Sequence, residues 1–170
     1  MEKQRGFSLI ELLIVVAIIL VIAAIALPSL LRARIAANES SAVSSIRQIK
    51  TAEVSYYTEF PTVGYAKALS DLGGVACAPP TVTSACLLDT VVAGAGPGST
   101  GKSGYFLNAT GVPKGTLNAD FVAGGSPINP RSSGDHEFCS TSDAIMRSQP
   151  AAGSTPVTTV AACIAYPNIL

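Results

Sequence analysis

The feature that most constrains this chain is an apolar run near its N-terminus, residues 7–27, in which only Ser8 and Glu11 are not apolar. A helix of this length is about 31 Å long, which is enough to cross the hydrocarbon core of a bilayer. Placing a carboxylate in hydrocarbon costs roughly 2.5–3.5 kcal/mol. Glu11 is therefore a candidate functional residue, provided that a partner for its charge exists.

The rest of the chain has a different composition. Residues 61–170 are rich in Gly, Pro, Ser, Thr and Ala. In the whole chain only 13% of residues are charged, and its formal net charge is zero. A neutral total charge gives no general attraction to nucleic acid or to an acidic surface. We expect a small domain with a thin core and many turns, which would benefit from covalent bracing.

Four cysteines, Cys77, Cys86, Cys139 and Cys163, supply that bracing if they lie in an oxidising compartment. They allow three pairings, of which Cys77–Cys86 and Cys139–Cys163 close the shortest loops and are favoured. The alternative is a metal site that uses His136 and Cys139. The chain has one histidine and no CxxC pair, so neither a metal site nor a cofactor is predicted.

An ordinary secretory signal is the first alternative reading of the apolar run. The chain begins with Lys3 and Arg5, and "AIA" at 24–26 fits a small-x-small cleavage site. Against this reading, Glu11 interrupts the apolar region, and the run is long for a signal. Basic residues stand at both ends of the run, so the cysteines decide orientation and place residues 61–170 on the oxidising side.

The stretch "RGFSLIELLIVVAIILVIAAIALP" closely resembles the N-terminus of type IV pilins and of the pseudopilins of type II secretion. In that family a membrane peptidase removes a short basic leader that ends in glycine and methylates the new amino terminus. The resemblance implies a leader of residues 1–6, a cut between Gly6 and Phe7, and N-methylation of Phe7. It is specific over about residues 1–60.

Cleavage before Phe7 would create the cationic partner that Glu11 needs. In a filament of staggered parallel helices, Glu11 of one subunit could approach the Phe7 amine of its neighbour. Two unit charges about 4 Å apart attract by roughly 4 kcal/mol at an effective dielectric constant of 20. Glu11 would then set the register between subunits. The alternative is a carboxylate that reaches the membrane surface and has no partner.

The helix is predicted to extend well beyond the apolar run. Pro28 is a candidate kink, and the next thirty residues lack Gly and Pro. Apolar residues recur there at helical spacing and are expected to face the core, namely Val43, Ile46, Ile49, Tyr56 and Phe60. The polar residues are expected on the solvent-exposed face, namely Ser29, Arg32, Arg34, Asn38, Glu39, Arg47 and Lys50. We expect one helix from about Phe7 to Glu59, with a transmembrane part (7–28) and an amphipathic part (29–60).

Residues 61–170 are predicted to form a globular head. A short helix is expected within 65–74, stopped by Gly73, and short strands within 101–111, 119–125, 137–142 and 144–149. The fold class is therefore α+β, pilin-like, with a three- or four-stranded antiparallel sheet laid over the amphipathic half of the helix. The tail from Pro150 folds back if Cys163 pairs with Cys139.

The head shows no convincing catalytic constellation, and an enzyme is not predicted. Gly96–Ser103 matches the GxxxxGKS pattern of phosphate-binding loops, but the residues that follow it resemble a strand rather than a helix. Basic residues are too scattered to form a nucleic-acid stripe, so nucleic acid could bind only through repetition of a weak patch along a filament.

The sequence thus predicts the precursor of a structural filament subunit. Its expected partners are identical subunits, a prepilin peptidase and methylase, an inner-membrane assembly platform with its ATPase, and membrane lipid before assembly. Its expected location is the bacterial inner membrane and then an extracellular pilus. A pseudopilin in a periplasmic pseudopilus is one alternative. A membrane-anchored or secreted binding protein that never polymerises is another.

Overall fold

The structure, a computed structural model, describes residues 7–75 and 77–170 of the chain. The chain divides into two compact units, the first ending at Arg34 and the second spanning Ile35–Leu170. One long helix, α1 (Leu9–Glu59), begins in the first unit and ends in the second. The helix predicted from the sequence therefore forms, with a start two residues later than expected. The proposed leader, residues 1–6, lies outside the described residues.

The helix continues through Pro28. A proline has no main-chain N–H, so the carbonyl of Ala24 loses its usual helical donor at this point. The many hydrogen bonds on either side keep the helix continuous across this single missing bond. The kink that we expect at Pro28 remains a prediction.

The second unit contains a five-stranded antiparallel sheet in which the strands lie in chain order. The strands are β1 (Tyr105–Lys114), β2 (Leu117–Pro127), β3 (His136–Thr141), β4 (Met146–Pro150) and β5 (Asn168–Ile169). The first four correspond to the four predicted strands. The fifth was not predicted, because two residues are too few to show a strand pattern.

The two faces of the sheet bury different residues. Leu107, Phe121 and Phe138 belong to the main core, together with the buried face of α1. Side chains alternate between faces along a strand, so Val122 and Cys139 fall in a smaller cluster on the opposite face. The C-terminal segment, which we define as residues 151–170, supplies Cys163 and Tyr166 to that smaller cluster.

The buried face of α1 follows the predicted helical stripe. Its buried residues are Ala42, Ser45, Ile46, Ile49, Ala52, Glu53 and Tyr56. Asn38 and Glu39, which the sequence places on the solvent-exposed face, are half-buried and form hydrogen bonds with the loop before β3. These bonds explain the difference, because residues 133–136 supply donors and an acceptor that the sequence pattern does not reveal.

Short elements complete the second unit. A 3-10 helix (Leu69–Leu72) ends at Gly73 where a short helix was expected, and it is followed by α2 (Thr90–Ala93) and α3 (Val160–Ile164), which were not predicted. Disulfide bonds join Cys77 to Cys86 and Cys139 to Cys163, which is the favoured pairing. The second disulfide fixes the C-terminal segment to β3.

Candidate functional site

The N-terminal end of α1 holds the residues that the sequence singles out. The carbonyl of Ser8 accepts hydrogen bonds from the amides of Glu11 (3.1 Å) and Leu12 (3.3 Å), so Ser8 occupies the helix N-cap position. Glu11 lies in the first turn, where a negative side chain complements the positive end of the helix dipole. Phe7 immediately precedes this turn and is 78% exposed. Gly6, the other half of the proposed cleavage site, lies outside the described residues.

The surface of α1 in the first unit is almost entirely apolar. Every large apolar side chain from Phe7 to Leu31 is between 47% and 80% exposed. The helix contains an 18-residue window with a mean hydropathy of 3.2 and no buried residue, which is long and apolar enough to cross a membrane. Such a continuous apolar surface marks a membrane or protein contact, because water solvates it poorly.

Glu11 has no cation within reach on its own helix. The nearest basic side chain that the structure describes on α1 is Arg32, which is about 31 Å further along the helix axis. A partner for Glu11 therefore has to come from lipid headgroups, from another chain, or from the amino terminus that the expected cut before Phe7 would create. The site can therefore act as a charge-pairing device.

The structure assigns other roles to the two alternative sites in the head. Cys139 is in a disulfide and cannot act as a thiolate ligand, and His136 Nδ1 lies 3.1 Å from Oε1 of Glu39. Within residues 7–75 and 77–170 there is no group of three or more acidic, His or Cys side chains that could hold a metal ion. The Lys102 ammonium of the GxxxxGKS sequence donates to Ser45 Oγ at 2.7 Å, so it is directed at α1 rather than at a phosphate.

Glu53 is a buried ionisable residue that was not singled out from the sequence. Glu53 is completely buried on the core-facing side of α1, and burial raises the pKa of its carboxyl from 4.5 to about 8. The hydrogen bond from the amide of Ala66 opposes this rise, and the nearby Asp71 adds to it. A signal was present, because position 53 is four residues after Ile49 and three before Tyr56 in the apolar stripe.

Comparison with known proteins places the similarity at the N-terminal segment. Residues 1–27 match the prokaryotic N-terminal methylation motif. The chain is 42% identical over 57 residues to the type IV major pilin protein PilA of Myxococcus xanthus. This aligned stretch covers 34% of this chain and 26% of that protein. The chain is also 55% identical over 40 residues to the type IV wide pilus major component PilA4 of Thermus thermophilus. This second aligned stretch covers 24% of this chain and 30% of that protein.

These matches cover less than a third of the length of either relative. No solved structure matches the chain significantly. The similarity therefore concerns the segment that contains Phe7 and Glu11 and the start of the long helix. Residues 1–27 of this chain carry a prepilin-type N-terminal methylation motif, within an N-terminal region similar to that of type IV major pilins.

Proposed function

We propose that this chain is the precursor of a structural subunit of a type IV pilus-like filament. Cleavage between Gly6 and Phe7 releases the leader, and methylation of Phe7 leaves a cationic secondary amine. The apolar part of α1 anchors the subunit in the inner membrane and then packs against copies of itself. The second unit faces the exported side, where its disulfides persist.

The observation that carries this proposal is the combination of an exposed apolar helix with a single acid in its first turn. Leu9–Leu27 presents apolar side chains on all sides, as expected for a helix that is surrounded by lipid and later by other helices. Glu11 is the only acidic residue in this stretch. A helix that served only as an anchor would gain nothing from this carboxylate.

The pairing of Glu11 with the Phe7 amine of a neighbouring subunit sets the register between helices. At about 4 Å and an effective dielectric constant of 20 the attraction is roughly 4 kcal/mol, which is comparable with the cost of placing the carboxylate in hydrocarbon. A subunit in the wrong register pays this cost without the attraction. Apolar contacts alone would not discriminate in this way, because one part of the apolar surface resembles another.

The assembly machinery follows from the same proposal. A prepilin peptidase and methylase processes residues 6 and 7, and an inner-membrane platform with an ATPase moves subunits from lipid into the filament. The mature subunit is located first in the inner membrane and then in an extracellular pilus.

The test compares Glu11→Gln with the control Glu59→Gln in the native host. Glu59 is also exposed on α1 but lies at its other end. We expect both variants to insert and to be cleaved, and we expect the yield of Glu11→Gln in sheared filaments to fall at least tenfold, since about 1.4 kcal/mol per subunit contact corresponds to a factor of ten. The Glu59→Gln variant should assemble normally.

Two results would contradict the proposal. The first is a normal filament yield for Glu11→Gln, which would remove the role of the charge pair. The second comes from mass spectrometry of the mature wild-type chain. A chain that still begins at Met1, or that begins at Leu27 after an ordinary signal cut, would not be a processed pilin-type subunit.

A further inference from the structure

The carboxyl of Glu53 holds a segment of chain against α1. Its Oε2 atom accepts a hydrogen bond of 2.8 Å from the main-chain amide of Ala66, and both residues are completely buried. Its Oε1 atom is also buried and has no hydrogen-bond partner among the described residues. A side chain of this kind costs stability when it is ionised, because only one of its oxygens is compensated.

Ala66 belongs to a stretch that covers one edge of the sheet. We call residues 60–68 the edge-covering segment. The carbonyl of Lys67 accepts a hydrogen bond of 3.3 Å from the amide of Gly111 in β1, and Ala68 forms an isolated antiparallel bridge with Thr110. Unpaired strand edges attract other strands, so covering this edge protects the unit from association.

Within the part of the chain that the structure describes, no cation among the groups that face Glu53 neutralises it. Asp71 approaches from the 3-10 helix, Tyr65 from the edge-covering segment, and Tyr56 lies on α1 itself. Asp71 is acidic, and its Oδ2 accepts a hydrogen bond of 3.2 Å from the amide of Ala68. The three described ionisable neighbours that interact with Glu53 are thus themselves acids, so this environment favours the neutral carboxyl.

We propose that Glu53 is a proton-dependent latch that keeps the edge-covering segment on α1 and β1. The neutral carboxyl keeps the segment closed, and loss of its proton to solvent accompanies local opening that exposes the outer edge of β1. The proposal concerns the second unit alone and goes beyond the proposed role in filament assembly.

The pH dependence of opening follows from linkage between protonation and conformation. Burial raises the pKa of Glu53 to about 8 in the closed state, against 4.5 for a solvated carboxyl. A raised acid pKa favours the closed state at low pH. Opening should therefore increase about tenfold per pH unit between the two values and become constant above the higher one.

The test is amide hydrogen exchange, measured by NMR on the full chain in detergent micelles between pH 5.5 and 7.5. After correction for the intrinsic rate of base-catalysed exchange, the opening constants at Ala66 and Gly111 should rise about 100-fold across this range. Glu53→Gln keeps an oxygen acceptor for Ala66 but cannot ionise, so its opening constants should not change with pH. The control Glu59→Gln should behave like the wild type.

The proposal would be overturned by a wild-type chain whose opening constant at Ala66 does not rise with pH. It would also be overturned by a Glu53→Gln variant in which that opening constant still rises with pH. If Glu53→Gln does not fold, the wild type alone still decides. The latch predicts that the opening constants at Ala66 and Gly111 are larger than that at Ile49 in the core of α1, because local opening requires less free energy than global unfolding. Equal opening constants at these amides would show exchange by global unfolding, which also exposes Glu53, and would exclude a local latch.

Discussion

Removing the Cys139–Cys163 disulfide should destabilise the second unit more than removing the Cys77–Cys86 disulfide. The two disulfides form a matched pair within one chain, so each double variant controls for the other. Cys139 and Cys163 are completely buried between the sheet and the C-terminal segment. Cys77 is exposed and Cys86 is half-buried.

The expected magnitudes come from loop length and burial. The Cys139–Cys163 disulfide closes a sequence separation of 24 residues and the Cys77–Cys86 disulfide a separation of 9. Loop-closure entropy gives about 3.5 kcal/mol for a loop of the longer kind and about 2.7 kcal/mol for the shorter. Loss of two buried sulfur atoms adds about 1 kcal/mol for the longer loop. We therefore expect the free energy of unfolding to fall by about 2–3 kcal/mol in Cys77→Ala/Cys86→Ala and by about 4–5 kcal/mol in Cys139→Ala/Cys163→Ala.

The assay is urea unfolding of the full chain in detergent micelles, followed by the near-ultraviolet circular dichroism of the tyrosines. Hydrogen exchange gives a second readout. The C-terminal segment is held on the sheet by the Cys139–Cys163 disulfide and by two hydrogen bonds. In these bonds Asn108 Nδ2 donates to the carbonyl of Val157 (2.9 Å) and Ser126 Oγ donates to the carbonyl of Thr155 (3.2 Å). The amides of the C-terminal segment should lose protection only in the Cys139→Ala/Cys163→Ala variant. Equal destabilisation by the two double variants would refute this reasoning.

Two further predictions concern packing and charge in the second unit. Ile49→Ala should lower the free energy of unfolding by about 2–5 kcal/mol because Ile49 is completely buried, whereas Val54→Ala, at a side chain that is 55% exposed on the same helix, should change it by less than about 0.5 kcal/mol in the same urea assay. A hydrogen bond from Arg147 lowers the pKa of Asp143 from 3.8 to about 2, so this pair should stabilise the fold above about pH 4 and lose its effect as the pH falls toward 2. Because Asp143 is partly exposed, the loss should stay below about 1 kcal/mol, and acid titration of Asp143→Asn should lack it.

The long helix and the main strands could be predicted because their patterns are local. An apolar run followed by a helical stripe predicts α1, and short stretches punctuated by Gly, Asn and Pro predict β1 and β2. The elements that were missed are short. α3 has five residues and β5 has two, and both occupy positions set by the Cys139–Cys163 disulfide and by contact with the sheet rather than by their own sequence.

The candidate site was also predictable in part. Glu11 stands out because a charge in an apolar run is a local anomaly that any sequence reading detects. Glu53 does not stand out, since an acid within an amphipathic helix usually faces water. Its burial depends on Ala66, thirteen residues later, whose amide approaches it only after the chain has turned back on α1. The contact of Glu39 with residues 135–136 is equally non-local.

The most direct test of the central claim is a zero-length crosslink between the Phe7 amine and the Glu11 carboxylate in purified filaments. Filaments are assembled from a mixture of ¹⁴N-labelled and ¹⁵N-labelled subunits, treated with a carbodiimide, digested, and analysed by mass spectrometry. Pairing between neighbouring subunits predicts linked peptides that join a ¹⁴N residue 7 to a ¹⁵N residue 11. Linked peptides of a single label only, or no link between these residues, would contradict it.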